Sequence, residues 1–440
     1  MVGITKMKAE KQKAEKEAFF CTTKELSRLG LEQIPTQFQS HKHLIYSSPA
    51  TLAFNSPGAE GFGVKRAGLA VPDSIMLIVA PGCCGRNTSL ISSMKEYNDR
   101  FYYLMMDETD IVTGRHLKKI PKAVEEICSV CPKKPSVVMI CITCVDALLG
   151  TDMERVCKKA EEQVEIPVRP CYMYALTREG RKPPMVHVRQ SLYSLLEPGK
   201  KKGNVVNLLG FFSPLVDDCE IYDLLHSAGV KTIHEISRCS DYAEYQTMSE
   251  ANFNLVLHHE ARFAAEDFHN RLQIPFIELR RLYQIDKIEN QYHALGNALG
   301  VAFYDEKYKK QAEDALEKFR QRCPDASFAI GECLNADPFE LSLALIRYGF
   351  SVPEIYGTIT VENFTYIRSL AKISPETKVF SNMEPTMIYY DPAKSDVNLA
   401  IGKDACYYHP DCPYVMWNGE EQPYGYAGVR RLFEQLLEVV

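Results

Sequence analysis

Short apolar runs alternate with amphipathic stretches over most of the chain, and this alternation predicts its secondary structure. The clearest run, Ile75–Ala80, holds six consecutive apolar residues before Pro81-Gly82, which is typical of a buried strand followed by a turn. A second run, Val137–Ile142, ends at Thr143-Cys144. Such runs alternate with stretches of helical periodicity, and this indicates a parallel sheet with helices on both faces.

The succession of strand, glycine and helix begins again near residues 205 and 327. We therefore expect an α/β fold with three doubly wound, Rossmann-like domains. The predicted division is an N-terminal segment of helices and an arm at 1–70, and domains at 71–200, 201–323 and 324–440. The pattern also predicts helices over 4–19 and 87–99, and one long helical segment over 286–322.

Cysteines follow the two clearest strands. Cys83 and Cys84 lie on the first turn, and Cys144 lies on the second. Open α/β sheets bind ligands at the carboxyl ends of their strands, so thiols at these positions are candidates for chemistry. The chain has 15 cysteines, and we expect roughly ten of them to be buried and structural. Two Cys-x-x-Cys pairs, at Cys128/Cys131 and Cys141/Cys144, have the spacing of a zinc-ribbon ligand set. Cys141, however, lies inside an apolar strand pattern, whereas a zinc knuckle needs both thiols on a tight turn.

Charge and composition narrow the class of protein. The 440 residues carry a formal net charge of −6 without a strongly basic block, which argues against nucleic acid as the main ligand. No apolar run approaches the roughly 20 residues of a membrane span. The first 16 residues mix Lys and Glu and lack the apolar core of a secretion signal, so we expect a cytoplasmic protein.

Four motifs occur in a fixed order along the chain. Asn55-Ser-Pro-Gly-Ala59 precedes Gly82-Cys83, and an acidic turn follows at Glu108-Thr-Asp-Ile-Val-Thr-Gly114. The later two are Thr143-Cys144-Val-Asp-Ala-Leu-Leu-Gly150-Thr-Asp152 and Pro423-Tyr-Gly-Tyr-Ala-Gly428. In this order and at these spacings, essentially the whole chain resembles the nitrogenase component 1-like oxidoreductases. This family includes subunits of the nitrogenase molybdenum–iron protein, dark-operative protochlorophyllide reductase and related nitrogenase-like reductases.

The resemblance implies an iron–sulfur cluster at the junction of two homologous subunits, in a heterotetramer or a homo-oligomer. Carried over residue by residue, the metal ligands are Cys83 and Cys144. The resemblance also implies an oxygen-sensitive protein and a separate iron-protein ATPase that delivers electrons. This chain itself has no Gly-x-x-x-x-Gly-Lys-Ser/Thr loop with which to bind ATP.

Two departures from the family pattern change the expectation. Asn55 stands where the family has its first cysteine, and Cys84 or Cys141 is a possible replacement. Two thiolates per chain favour a shared [4Fe–4S] cluster over an eight-iron cluster. His258 stands where the family has its cofactor cysteine, and Met416 falls near the position of its cofactor histidine. We therefore expect neither the iron–molybdenum cofactor nor dinitrogen reduction.

His258 and His259 are the predicted catalytic pair. Histidine titrates near neutrality, so a pair at a strand end can donate protons to a reduced substrate. A hydrogen-bonded pair at a domain face is the equally weighted alternative.

Three functions follow from these observations. The leading one is a subunit of a two-component reductase that passes electrons to a small molecule in the cleft between its domains. The second is a cofactor-assembly scaffold of the same fold, and the third is a metal-free binding module.

Overall fold

The computed structural model describes residues 17–39, 63–82, 94–143, 145, 149–173 and 182–440. The chain divides into two compact units. The larger unit comprises residues 57–318 and 419–434, and the smaller unit comprises 319–418 with the two terminal segments.

The described residues form strands and helices that alternate along the chain. The strands are β1 (Phe20–Thr22), β2 (Ile75–Ala80), β3 (Phe101–Met105), β4 (Val138–Ile142), β5 (Val168–Tyr172), β6 (Val205–Leu209), β7 (Thr232–His234), β8 (Phe253–Val256), β9 (Phe276–Glu278), β10 (Ser327–Ile330), β11 (Ser351–Tyr356), β12 (Lys378–Phe380), β13 (Leu399–Ile401) and β14 (Tyr414–Val415). The α-helices are Thr23–Leu29, Val64–Gly68, Glu108–Thr113, His116–Val130, Met153–Val164, Pro184–Tyr193, Glu220–Ser227, Tyr242–Thr247, Arg262–Leu272, Ile285–Leu299, Glu306–Arg322, Pro338–Arg347, Phe364–Ile373, Lys403–Tyr408 and Gly425–Val439.

The larger unit contains two four-stranded parallel sheets with the same topology. Their spatial orders are β3-β2-β4-β5 and β7-β6-β8-β9. In each sheet the second strand in sequence lies on one side of the first strand, and the third lies on the other side. The winding therefore reverses between β2 and β4 and between β6 and β8. Such switch points are where open α/β sheets bind ligands.

The smaller unit contains one six-stranded sheet in the order β1-β12-β11-β10-β13-β14. Strands β10 to β14 are all parallel to one another. The edge strand β1 is antiparallel to β12, and its Phe20 pairs with Phe380. This sheet reverses its winding between β10 and β13.

The first sheet is buried on both faces, which explains its continuous apolar sequence. Met76 and Ile78 of β2 face a core that also includes Leu209 of the second sheet. The alternate β2 side chains face a separate core with the helices His116–Val130 and Met153–Val164. Each large aliphatic side chain buried in this way contributes about 1.5–3 kcal/mol. Because both faces are covered, the strand reads as an unbroken apolar run.

The predicted α/β fold with parallel sheets is confirmed, and β2 has the predicted bounds. Three helix predictions need correction. The segment 286–322 is two helices, because Gly300 ends the first one with a left-handed backbone (φ 70°). Residues 94–99 form turns instead of the end of a helix over 87–99, and residues 17–19 are not helical. The remainders of the predicted helices 4–19 and 87–99 lie outside the described residues. No helix in the described part is long and apolar enough to cross a lipid bilayer.

Candidate functional site

The switch point of the first sheet brings together the two strands that precede the predicted thiols. β2 and β4 are adjacent and in parallel register, with Val79 beside Ile142, so both strands end at the same edge. Cys83, Cys84, Cys144 and Asn55 themselves lie outside the described residues. Their assignment as cluster ligands therefore stays a prediction.

Thr143 gives an independent indication that this edge faces a polar group. Its side chain is only 2% exposed. Its Oγ1 atom has no hydrogen-bond partner among the described residues. A buried hydroxyl without a partner costs about 1–3 kcal/mol. Gly82 at the end of the neighbouring strand is exposed, and the nearest atom to a Cβ built on it is the Met105 Sδ at 3.9 Å.

The structure argues against a zinc site built from the two Cys-x-x-Cys pairs. Cys141 is fully buried in the core that the two sheets of the larger unit share. Cys128 and Cys131 pack against the core on the opposite face of the first sheet. A sheet therefore separates Cys141 from the other pair. Within the described residues, no three Cys, His, Asp or Glu side chains are grouped so that they could hold a metal ion.

The switch point of the second sheet holds His258, which follows β8 by two residues. Its Nδ1 atom accepts a hydrogen bond from the backbone N–H of Glu260 at 3.3 Å. In a neutral ring, the proton is therefore on Nε2. Partial burial of the ring, whose side chain is 34% exposed, and the positive charges of Arg189 and Arg281 lower the pKa of His258 below its ordinary value. The ring is thus a neutral donor through Nε2 at neutral pH.

Gly210, which ends β6, lies directly against His258. A Cβ built on Gly210 would lie 2.8 Å from the backbone nitrogen of His258 and 2.9 Å from its Cβ. Gly210 also has a φ of 140°, which L side chains rarely adopt. The close packing of these two strand ends therefore depends on a glycine.

Arg189 links the two strand ends, and sequence reasoning missed it. Its guanidinium donates to the Gly210 carbonyl at 3.0 and 2.6 Å and to Glu260 at 2.8 Å. Its side chain is only 5% exposed and lies over the ring of Phe212. The sequence feature that could have indicated a buried arginine is its spacing in the helix Pro184–Tyr193. Arg189 lies three residues after Val186 and four before Tyr193, so it shares a face with two buried side chains.

His259 and Arg281 lie near His258. His259 is exposed, and its ring stacks on that of His258 with centroids 4.5 Å apart. Arg281 lies over Phe211 and donates from Nη2 to Gln422 at 2.6 Å. Its Nε atom is buried and has no partner among the described residues. A neutral imidazole donor beside a guanidinium can bind a polar or anionic group.

The smaller unit contains a buried polar cluster around Glu354. The His409 side chain is 2% exposed, and its Nε2 lies 3.2 Å from the Glu354 carboxylate. Tyr390 donates to the same carboxylate at 2.6 Å, and Tyr356 donates at 3.0 Å. Glu354 and Tyr390 line a cavity of about 80 Å³. Because each of these side chains has a hydrogen-bond partner within the cluster, we interpret the cluster as structural.

The acidic turn after β3 is a helix cap. Asp107 accepts from the backbone N–H of Asp110 at 2.7 Å and begins the helix Glu108–Thr113. Asp110 is buried and pairs with Lys119 at 2.6 Å. Asp107 and Asp110 therefore cap this helix, and Asp110 does so as a buried carboxylate.

Comparisons with known proteins identify the family. The model of the family described as "Nitrogenase component 1 type Oxidoreductase" matches residues 60–440. The chain therefore belongs to this family. Proteins of the family bind iron–sulfur clusters and typically form oligomers with component 1-type subunits.

Two relatives and one solved structure illustrate the similarity. The "nitrogenase iron-molybdenum cofactor biosynthesis protein NifE" of Sinorhizobium fredii is 25% identical over 418 residues, which are 89% of this chain and 82% of that protein. The protein of the same name from Methanosarcina barkeri is 27% identical over 42% of this chain and 43% of its own length. The structure "Nitrogenase Cp1 at pH 6.5" matches with a TM-score of 0.68 and 18% identity, over 90% of this chain and 92% of that one. The structural match shows the fold alone.

Proposed function

We propose that this chain is a scaffold subunit that carries an iron–sulfur cluster, or a metal–sulfur precursor, and hands it to another protein. The observation that carries the proposal is the similarity, over 89% of the chain, to a protein named for cofactor biosynthesis. The scaffold function was the second of the three functions expected from the sequence.

The residues at the first switch point fit such a group. Cys83 and Cys144 follow adjacent parallel strands that end at one edge, and thiolates are the usual ligands of iron–sulfur clusters. The buried Thr143 hydroxyl, which lacks a partner among the described residues, is suited to donate to a cluster sulfur or a ligating thiolate. Asn55 replaces a thiolate with an amide, so we propose a [4Fe–4S] cluster shared with a homologous subunit.

The bound group supplies one-electron redox chemistry and labile metal–sulfur units. The protein holds it at the carboxyl edge of a rigid sheet. At the second switch point, His258 offers an Nε2–H donor and Arg281 offers positive charge, so this region suits a polar or anionic part of the cargo. A neutral His258 is better suited to bind and orient a group than to deliver a proton as an imidazolium at neutral pH.

A reductase is the second candidate, because the family is described as an oxidoreductase. In that function, an iron-protein ATPase donates electrons, and His258 with His259 donates protons to a small organic substrate. We propose the cytoplasm as the compartment for either function. In both cases oxygen would damage the cluster.

A transfer assay distinguishes the two candidates. The chain is purified anaerobically with its homologous subunit, labelled with ⁵⁷Fe, and incubated with an acceptor component 1 protein that lacks its cofactor. The scaffold predicts stoichiometric movement of ⁵⁷Fe to the acceptor, and no sustained reduction of a substrate when an iron protein and ATP are present. Multiple turnovers without loss of ⁵⁷Fe would contradict the scaffold and support the reductase. The Cys83→Ser/Cys144→Ser variant is the matched control, and it should neither hold nor transfer the label.

A further inference from the structure

Cys128 and Cys131 are two thiols on the last turn of the helix His116–Val130. Cys131 ends this helix, and its backbone N–H still donates to the carbonyl of Ile127 at 3.0 Å. Residues three positions apart on a helix have Cβ atoms about 5–6 Å apart. Cys131 has already left the helical conformation, with a ψ of 131°. The two thiols are close enough for Cys131 to act electrostatically on Cys128, and closure of a disulfide requires an adjustment at this end of the helix, where the backbone is no longer helical.

Both thiols are accessible, in contrast to the other described thiols between residues 101 and 173. Cys128 and Cys131 are each partly exposed, whereas Cys141, Cys157 and Cys171 are buried. Burial, together with the nearby Cys131, raises the pKa of Cys128. A raised pKa leaves less of Cys128 in the thiolate form that attacks a disulfide, although the positive charge of Lys134 opposes this effect.

Tyr102 singles out Cys131 as the attacking thiol. The Tyr102 hydroxyl lies 3.1 Å from the Cys131 Sγ. Its hydrogen bond with Cys131, and then its burial, raise the pKa of Tyr102 to about 12, so the hydroxyl keeps its proton. A helix C-terminus carries partial negative charge and disfavours a thiolate. The Tyr102 hydroxyl is placed to donate a hydrogen bond to the Cys131 sulfur when that sulfur is a thiolate.

We propose that Cys128 and Cys131 are a redox modification site that closes reversibly to a disulfide, separate from the thiols predicted to bind the cluster. The Cys131 thiolate attacks one sulfur of a low-molecular-mass disulfide, and this breaks the S–S bond and releases one thiol. The Cys128 thiolate then attacks the Cys131 sulfur of the mixed disulfide and releases the second thiol. The two cysteines are oxidised, the small disulfide is reduced to two thiols, and these carry away the two protons.

The sequence allows a direct test of this proposal. Trypsin releases Ala123–Lys133 as one peptide, which contains both cysteines and no other thiol. The complex purified anaerobically is equilibrated with glutathione at graded ratios of oxidised to reduced form, alkylated and digested. The peptide should pass from doubly alkylated to unalkylated without accumulating a glutathione adduct, and dithiothreitol should reverse the change. A peptide that stays doubly alkylated at every ratio, or that accumulates the adduct, would overturn the proposal.

Two variants test the assigned order of attack. Cys128→Ser should trap glutathione on Cys131, since no second thiol remains to displace it. Tyr102→Phe should slow closure roughly fivefold, because it removes the hydrogen bond that stabilises the attacking thiolate. An unchanged rate in Tyr102→Phe would overturn the role of Tyr102. Retained iron content in both variants would show that they still fold and that the site is separate from the cluster.

Discussion

Gly210 and His258 are in contact at the switch point of the second sheet, where an added Cβ on Gly210 would lie 2.9 Å from the Cβ of His258. The carbonyl of Gly210 also accepts two hydrogen bonds from Arg189. The position of His258 is therefore fixed by backbone packing and by a buried guanidinium. A substitution at Gly210 should therefore displace His258 while leaving all functional groups of the candidate site in place.

Gly210→Ala should destabilise β6 and β8 by about 3 kcal/mol, because it adds a clash to an unfavourable φ. Gly229→Ala is the matched control, since Gly229 also has a positive φ (88°) but has no atom within 4 Å of an added Cβ. We expect the control substitution to lower the free energy of unfolding by about 1 kcal/mol. Native-state hydrogen exchange of the β6 and β8 amides measures the loss of stability in each variant. Equal effects of the two substitutions would contradict the packing described for Gly210.

Glu354 should make the stability of the smaller unit depend on pH. Burial alone would raise its pKa, but hydrogen bonds from His409 and Tyr390 outweigh burial and lower it. A lowered folded-state pKa stabilises the protein above the unfolded value of about 4.3, and this stabilisation is lost as pH falls through the folded value. The free energy of unfolding of the wild-type protein should therefore exceed that of Glu354→Gln by about 2 kcal/mol at pH 7. The difference should shrink in the acid range.

The single tryptophan makes this measurement specific to the smaller unit. Trp417 is the only tryptophan of the chain, and it is buried in that unit. Its fluorescence during denaturant unfolding at pH 7 and pH 4 gives the difference between the two proteins. The exposed Glu362→Gln is the control, with no expected effect at either pH. A difference that grows as pH falls would contradict the assigned direction.

Thr143→Val should change the redox potential of the bound cluster while leaving its iron content unchanged. Hydrogen bonds to cluster sulfurs raise the reduction potential. Loss of one such bond should lower the midpoint potential by about 40 mV. Anaerobic redox titration followed by electron paramagnetic resonance measures the shift. Thr113→Val is the control, because Thr113 is exposed and its hydroxyl donates to the Thr109 carbonyl of its own helix. An unchanged potential in Thr143→Val would exclude the proposed hydrogen bond.

Local sequence patterns predicted the strands well because both faces of the first sheet are buried. Ile75–Ala80 therefore carries an uninterrupted apolar signal, and its bounds were predicted correctly. The pairing of Phe20 with Phe380 joins residues far apart in sequence, so no local pattern indicates it. The break at Gly300 was missed because an isolated glycine is compatible with a continuous helix, as Gly296 within the helix Ile285–Leu299 shows.

The candidate site was predictable only in part. His258 was singled out because it ends an apolar strand pattern and stands where the family has its cofactor cysteine, and in the structure it follows β8 by two residues. Arg189 and His409 were missed as buried groups, because their partners Gly210 and Glu354 are separated from them by 21 and 55 residues. Such contacts depend on the tertiary fold, and a single sequence has no period or spacing that encodes them.

The iron and acid-labile sulfide content of the anaerobically purified complex decides whether this chain carries a cluster. We expect a brown protein with about four iron atoms for each shared cluster. Cys83→Ser/Cys144→Ser should lose most of this iron, whereas Cys128→Ser should keep it. A wild-type complex without significant iron or sulfide, or a double variant with undiminished iron, would contradict the claim that this chain carries a cluster through Cys83 and Cys144.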